Sequence, residues 1–283
     1  MSKINLVTVV GHNITMLPHM LNHYKDIVDE TYVVVYRQSE NDTILEQIQQ
    51  LGIIPYMVVT EPKFNWERVT ELYNQVKSTK PNEWWIVSDD DELQVYPKPL
   101  KEMISECETN GWEFITGGFL DRIGEGGDFP KVTSTSNIWK LFGNAGFFRY
   151  PMSGACPNKV CVMKGSVLVT SGQHYVDFGD GTNSWGKYNI KHPKRYPIGR
   201  GDGFVQVHHF KWDSTVLDRL KEVSETKEDY TYWQEYLKMY EGIQNNDWKI
   251  DISNSEYKIE WMLHNTHWDY SKWDILTRII SQI

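Results

Sequence analysis

Four carboxylates in a row, Asp89-Asp90-Asp91-Glu92, follow the apolar segment Trp84-Trp85-Ile86-Val87 and Ser88. Neighbouring carboxylates repel one another, and a divalent cation is a simple partner that holds them together. On an extended backbone successive side chains alternate, so Asp89 and Asp91 are directed to one side and Asp90 to the other. A second chemically capable group, His208-His209-Phe210-Lys211-Trp212, comes late in the chain. On a strand its two histidines face opposite sides, so at most one serves a cleft. Lys211 has the charge to neutralise a phosphate. Asp121-Arg122 precedes a stretch rich in Gly, Ser and Thr over 124–136, expected to be a mobile loop that closes over a ligand and excludes water. His174, in Ser171-Gly172-Gln173-His174, is a weaker candidate for a metal or acceptor contact.

The elements that must position these groups read as α/β. Ile4 to Val10 is a first strand, broken at Gly11, and Tyr32 to Tyr36 is a second, continuous apolar strand. Ile53 to Val59 gives a third and Trp84 to Val87 a fourth. Between them lie helical spacings over 15–28, at Ile44, Leu45, Ile48 and Leu51 up to Gly52, and at Val69, Leu72, Tyr73 and Val76. Continuous apolar strands alternating with helices predict a mostly parallel sheet flanked by helices. The acidic run then emerges at a strand end on the sheet edge where ligands bind.

Past the run, Leu100 to Cys107 predicts a helix ending near Gly111, and Phe114 to Leu120 a strand. Shorter strands are expected at Ile138–Phe142, Lys159–Met163, Val167–Thr170 and Phe204–Phe210, in a mixed second half. Residues 213–243 and a tail through Trp273, Leu276, Ile279 and Ile280 read as helix. The division expected is a catalytic domain over 1–213 with a helical C-terminal segment over 214–283 packed on it.

Composition narrows the partners. A formal net charge of -9 argues against nucleic acid or an anionic membrane surface. The 12 Trp and 16 Tyr supply stacking surfaces suited to sugars and bases. Three cysteines, Cys107, Cys156 and Cys161, cannot all pair within the chain, which argues against a disulfide framework. The apolar run at the N-terminus is too short for a signal peptide, and no stretch is long enough to span a bilayer, so a cytoplasmic location is expected. No P-loop, Cys-x-x-Cys pair or Gly-x-Ser-x-Gly elbow is present.

Trp84 or Trp85 followed by Asp89, Asp91, Glu92 and Leu93 resembles the DxD motif of GT-A (Rossmann-like) glycosyltransferases, especially family 2 and family 92-like members. The opening strand Leu6-Val7-Thr8-Val9-Val10, the segment His19 to Tyr24, and Ser39 with Asp42-Thr43 are similar to that family as well, so the likeness covers roughly residues 4–213. The resemblance implies a metal-dependent enzyme that transfers a sugar from a nucleotide-diphospho-sugar such as a UDP-sugar to a hydroxyl of a carbohydrate or glycan acceptor, with inversion. It implies Mn²⁺ or Mg²⁺ held by Asp91, by Asp89 directly, through water or through the donor, and by the late His209, whose imidazole tilts the preference toward Mn²⁺. Donor contacts are implied at Thr8, Val10, Arg37, Asp89, Asp90, Arg122 and Lys211, although strand alternation turns Asp90 away. Glu92 is left open. Many relatives have an acidic residue where Arg37 stands, which leaves the base and the nucleotide open. An inverting transfer needs a base, for which Asp121, Asp177, Asp180 and Asp202 are all available, Asp121 slightly preferred. The rival readings are a nucleotidyltransferase, which would want a Gly-rich basic loop after the first strand, and a non-catalytic carbohydrate-binding protein built on the aromatics.

Overall fold

The computed structural model describes residues 2–146, 158–177, 192–197, 205–227, 230 and 232–252. Two compact units make up these residues: 2–118, 158–177, 192–197 and 205–207 in the first, 119–146, 208–227, 230 and 232–252 in the second.

In the first unit β1 (Ile4–Val10), β2 (Glu30–Arg37), β3 (Met57–Thr60) and β4 (Trp84–Val87) alternate with α1 (Leu17–Tyr24), α2 (Ile44–Gln50) and α3 (Trp66–Ser78). β1 lies parallel between β2 and β4, and β3 lies parallel on the outside of β2. Every residue of β1 and β4 is buried, as a parallel sheet covered on both faces requires. Leu72, Tyr73 and Val76 of α3 pack into the same core as Val7, Val9, Val34 and Trp85, with Asn65 capping the helix by accepting from the Glu67 N–H. The expected α/β architecture, a central sheet with helices against it, is therefore present.

Beyond β4 the sheet turns antiparallel at β8. β8 (Asn158–Lys164) pairs antiparallel with β4 and with β6 (Phe114–Ile123), which follows α4 (Leu100–Asn110) and its left-handed Gly111 at φ 74°. The strand order runs β3-β2-β1-β4-β8-β6-β11-β5, where β5 is Glu92–Val95 and β11 is Val205–His209. A Cβ on Gly117 would lie 2.4 Å from the Val205 carbonyl oxygen, so glycine is what lets the two backbones approach there.

This order creates a switch point. The chain leaves β1 toward β2 and β3 on one side and returns to β4 on the other, and the carboxyl ends of strands at such a reversal are where open α/β sheets generally bind ligands. The Ser88 N–H donates to the Val7 carbonyl at 3.2 Å, extending the ladder to the threshold of the acidic run.

Several elements depart from the sequence reading. The third strand begins at Met57 rather than Ile53, because Pro55 offers no N–H and Ile54 lies 91% exposed. Residues Ile138–Leu141 form a helical turn, α5, instead of a strand: the Asn137 side chain accepts from the Lys140 N–H and caps it. The pair β9 (Leu168–Val169) and β10 (Val176–Asp177) flanks a 3₁₀ turn, Ser171–Gln173. The helical stretch over 213–243 is two helices, α6 (Val216–Glu225) and α7 (Trp233–Gln244). The tail helix through Trp273 and Ile280 lies outside the described residues.

The second unit contains the last residues of β6, paired antiparallel with β7 (Asn144–Gly146) so that Asp121 faces Gly146 and Arg122 faces Ala145 in register. Its core is Ile123, Trp212, Val216 and Leu220 with Met239, Ile243 and Ile250. The Gly-rich stretch expected to be a mobile loop includes a short 3₁₀ turn at Glu125–Gly127. Among the described residues no helix is long and apolar enough to cross a membrane.

Candidate functional site

In the first unit the acidic run is braced from three directions. Tyr73, buried on α3, receives the Val9 N–H at 3.3 Å and donates its own hydroxyl to Asp89 Oδ1 at 2.7 Å. Burial and then the neighbouring Asp89 charge push the Tyr73 phenol well above its ordinary pKa, so it stays a donor. Gln173 donates through Nε2 to the same Oδ1 at 3.1 Å. It does so from a left-handed backbone, φ 58°, directly after Gly172 at φ 68°. A non-glycine residue held there stores strain of about 1–3 kcal/mol, a kind that clusters at functional sites. Its Oε1 is buried with no hydrogen-bond partner, since turning the amide would set oxygen against oxygen.

The third brace is Lys159 on β8, buried with only 5% of its side chain exposed. Its ammonium lies 2.7 Å from Glu92 Oε1 and 3.7 Å from Asp89 Oδ2, and donates to the Gly172 carbonyl at 3.1 Å. Burial opposes the charge, but Glu92 and Asp89 outweigh it and raise the lysine pKa, so it is a fixed cation. Glu92, left open by the sequence, is thus the buried half of an ion pair on β5.

Asp90 is half-buried in the run, and its carboxyl is pushed well above the usual range by burial first, then by the Asp91 and Asp89 charges. Asp91, also half-buried, sits between Asp90 and the start of β5. Among the described residues no group of three or more His, Cys, Asp or Glu side chains is assembled around a metal position.

Of the other expected contacts in this unit, Thr8 and Val10 are fully buried on β1, and the Thr8 hydroxyl has no hydrogen-bond partner. Arg37 ends β2 tied to its own loop, donating to Thr60 Oγ1 at 3.0 Å and pairing with Glu40. His174 donates from Nδ1 to the Asn158 carbonyl, 2.8 Å away, and burial pulls its pKa down to about 4, so it is a neutral structural histidine near pH 7. Asp177 lies on β10, whereas Asp180 and Asp202 lie outside the described residues. Cys107 and Cys161 are buried free thiols, and Cys156 lies outside the described residues.

The second unit carries its own cluster. Asp121, 3% exposed on β6, accepts at one oxygen, Oδ1, from His209 Nδ1 at 2.9 Å and Trp212 Nε1 at 2.8 Å. The His209 ring rests on Phe119 with centroids 4.5 Å apart and keeps 15% of its side chain exposed. His208 turns inward to the Trp139 ring, 5.1 Å away, as strand alternation demands. Arg122 is fully buried, with its guanidinium 5.3 Å from the Trp139 ring and 5.9 Å from that of Phe210. Nη2 reaches the Trp139 carbonyl at 3.3 Å, whereas Nε and Nη1 have no hydrogen-bond partner. Burial lowers its pKa to about 10, which leaves it charged at pH 7. Lys211 turns to Tyr236, 3.4 Å from the hydroxyl and 4.4 Å from the ring centroid.

Sequence reasoning missed Tyr73, Lys159, Gln173 and Trp139 as site-building residues. Tyr73 was legible only as part of an apolar helix face, and Lys159 only as the start of a strand. Gln173 stood beside His174, and nothing in spacing distinguishes the one that reaches Asp89.

No protein-family sequence model matches the chain, and no curated protein matches it. Solved structures with some likeness include TarS from S. aureus, 15% identical over 58% of this chain and 28% of that one, with a TM-score of 0.30. A second is TarS 1–349 in complex with UDP, at 16% identity, 46% and 38% coverage and a TM-score of 0.28. Another is 4-diphosphocytidyl-2C-methyl-D-erythritol synthase, at 10% identity, 59% and 76% coverage and a TM-score of 0.31. The chain thus spans little more than a quarter of the TarS structure. At these scores the likenesses have no bearing on function.

Proposed function

We propose that this chain is a nucleotide-sugar-dependent glycosyltransferase that uses the acidic run to hold a divalent cation with the donor diphosphate. The observation that carries the reading is the position of Asp89, Asp90 and Asp91 at the carboxyl end of β4, beside β1, where the strand order reverses. Tyr73, Gln173 and Lys159 fix Asp89 there before any ligand arrives, which spares the site the cost of organising it at the moment of binding.

Carboxylate oxygens are the donor chemistry that Mg²⁺ and Mn²⁺ prefer, and such ions commonly take one or two carboxylates with substrate phosphates and water. The carboxylates present fit that demand: Asp91 would be the direct ligand and Asp89 its companion or a contact to the donor sugar or ribose. When bound, the cation stabilises the negative charge that grows on the departing diphosphate. This chain's own residues do the rest. Lys159 keeps the run from repelling itself apart. Inversion requires that one group take the proton of the acceptor hydroxyl as the new bond forms.

A thermal-shift panel of nucleoside diphosphates and triphosphates, with and without Mn²⁺, tests the reading, because a ligand that binds only the folded state raises Tm by mass action. The expected result is a Mn²⁺-dependent rise with one nucleoside diphosphate, abolished in Asp91→Asn. A shift with triphosphates alone would favour nucleotidyl transfer instead. Stabilisation by free glycan with no nucleotide response would mark a carbohydrate-binding protein.

A further inference from the structure

We infer that Arg122 anchors an anion site within the second unit, one that takes an oxyanion of single charge, a carboxylate or a phosphodiester. Arg122 is fully buried on β6, a place arginine almost never occupies without a counter-charge. Its hydrogen bond runs from Nη2 to the Trp139 carbonyl at 3.3 Å, while Nε and Nη1 are shut away from water with no acceptor in the protein. The neighbouring carboxylate does not serve it. Asp121 leaves the strand on the opposite face, where His209 and Trp212 occupy its Oδ1.

An enclosed charge of this kind is costly, and an opposite charge at hydrogen-bonding distance is what offsets it. The walls do not supply one. The guanidinium lies 5.3 Å from the Trp139 ring and 5.9 Å from that of Phe210, and those two rings stand at 90° to each other, forming a corner. Phe142 backs Phe210 edge-on at 5.4 Å. The rings fix the guanidinium plane and offer no oxygen acceptor. A planar fork of N–H donors held still in apolar surroundings suits the oxygens of a carboxylate or phosphate, and the low dielectric strengthens the pair.

The charge of the ligand follows from the charges around it. Burial lowers the Arg122 pKa to about 10, so the guanidinium is charged at pH 7. Other cations of this unit are engaged elsewhere: Lys211 over Tyr236, Arg219 over Tyr230 and Lys249 on Asp128. One enclosed positive charge is matched by one negative charge, and a diphosphate would bring surplus charge into apolar surroundings. The way in is past Trp139. It is half-buried on α5, a four-residue turn with Asn137 as its cap, and so short a turn opens locally at small cost. Ile138 and Phe142, 4% and 0% exposed, pin the turn at either side, so the movement falls on Trp139.

The test uses the full chain at pH 7 in a buffer without phosphate or carboxylate. The probes are sodium glucuronate, dimethyl phosphate and pyrophosphate, with sodium chloride of equal ionic strength as the control. Glucuronate or dimethyl phosphate is expected to raise Tm by about 2–4 °C above the chloride control, because the anion binds the folded state. A response to glucuronate alone assigns a carboxylate, and one to dimethyl phosphate alone assigns a phosphodiester. Arg122→Met is expected to weaken that binding at least about 30-fold in calorimetry. In ¹⁵N-arginine-labelled parent, a slowly exchanging Nε–H signal, assigned by its loss in Arg122→Lys, is expected to move on saturation; this readout stands even if Arg122→Met fails to fold. No response beyond chloride would overturn the inference and leave Arg122 as a cation stacked on two rings. An equal response in Arg122→Met, or tighter Arg122-dependent binding of pyrophosphate than of either monoanion, would overturn it too. None of these readouts involves sugar transfer, so the outcome is separate from that of the glycosyltransferase reading.

Discussion

Replacing Lys159 by Met removes one ammonium and keeps a side chain of similar length. The loss falls on Glu92, 3% exposed and 2.7 Å from that ammonium, which becomes a buried carboxylate without its counter-charge. Breaking a buried pair from one side costs about 3–5 kcal/mol, because the remaining charge keeps its desolvation penalty. The ammonium's hydrogen bond to the Gly172 carbonyl goes too, adding roughly 1 kcal/mol. The 3.7 Å approach to Asp89 contributes little to this sum, since that carboxylate is 39% exposed and screened by water. A net loss of about 4–6 kcal/mol is expected, measured by urea unfolding of parent and variant with m unchanged. The double variant Glu92→Leu/Lys159→Met is the control: with both charges gone it should recover to within about 2 kcal/mol of the parent. A single variant that loses less than about 1 kcal/mol, or a double variant worse than the single, would refute the account of Lys159 as the cation that anchors Glu92.

Three further outcomes are expected. His174 has its pKa lowered from 6.5 to about 4, so the unfolded chain binds the extra proton between those values. Its contribution, up to about 3 kcal/mol, is present above pH 6.5 and lost as pH falls toward 4; His174→Gln should flatten that limb of the stability–pH curve, and an unchanged slope would count against it. Lys77 is fully buried with its ammonium on the Val167 carbonyl, and burial lowers its pKa to about 7. Stability should therefore rise with pH between 7 and 10.5, and Lys77→Met should raise Tm at pH 7 by relieving a penalty of about 4–5 kcal/mol. Gly117→Ala forces a Cβ to 2.4 Å from the Val205 carbonyl oxygen and should cost about 1–3 kcal/mol, read from the urea midpoint.

The parallel half of the sheet was legible because its strands are continuous apolar runs punctuated by Gly11, Gly52 and the Pro81-Asn82 break. That pattern follows from burial on both faces, a strong and local signal. The errors fall where the signal is short. Ile138-Trp139-Lys140-Leu141 has the apolar content of a strand, and only the cap from Asn137 decides for a helical turn. β5 was invisible because its first residue, Glu92, is charged, and what buries it is Lys159, 67 positions away in sequence. Periodicity has no means of registering an ion pair across the sheet. The candidate residues themselves were found by type, whereas their roles depended on partners that sequence does not reveal. Asp121 and His209 were read as a base and a metal ligand with no link between them, and the fold joins them by one hydrogen bond.

Burial sorts the carboxylates of this chain into different tasks. Glu92, enclosed with Lys159, is structural, and its charge is matched on the spot. Asp89, partly exposed, is held by Tyr73 and Gln173 and so presents a fixed geometry. Asp121, enclosed with His209 and Trp212, has its Oδ1 taken up by the N–H groups of those two rings. Asp90 has its carboxyl pushed well above the usual range by burial and then by its like-charged neighbours. A cation bound by Asp91 and Asp89 would lower that carboxyl's pKa again by direct attraction. Metal binding at the run should therefore expel a proton from Asp90 at pH values where the free protein still holds it, and calorimetry of Mn²⁺ binding in two buffers of different ionisation enthalpy would register that proton. In Asp90→Asn the buffer dependence should vanish while Mn²⁺ still binds; a dependence that persists would mean the proton comes from elsewhere.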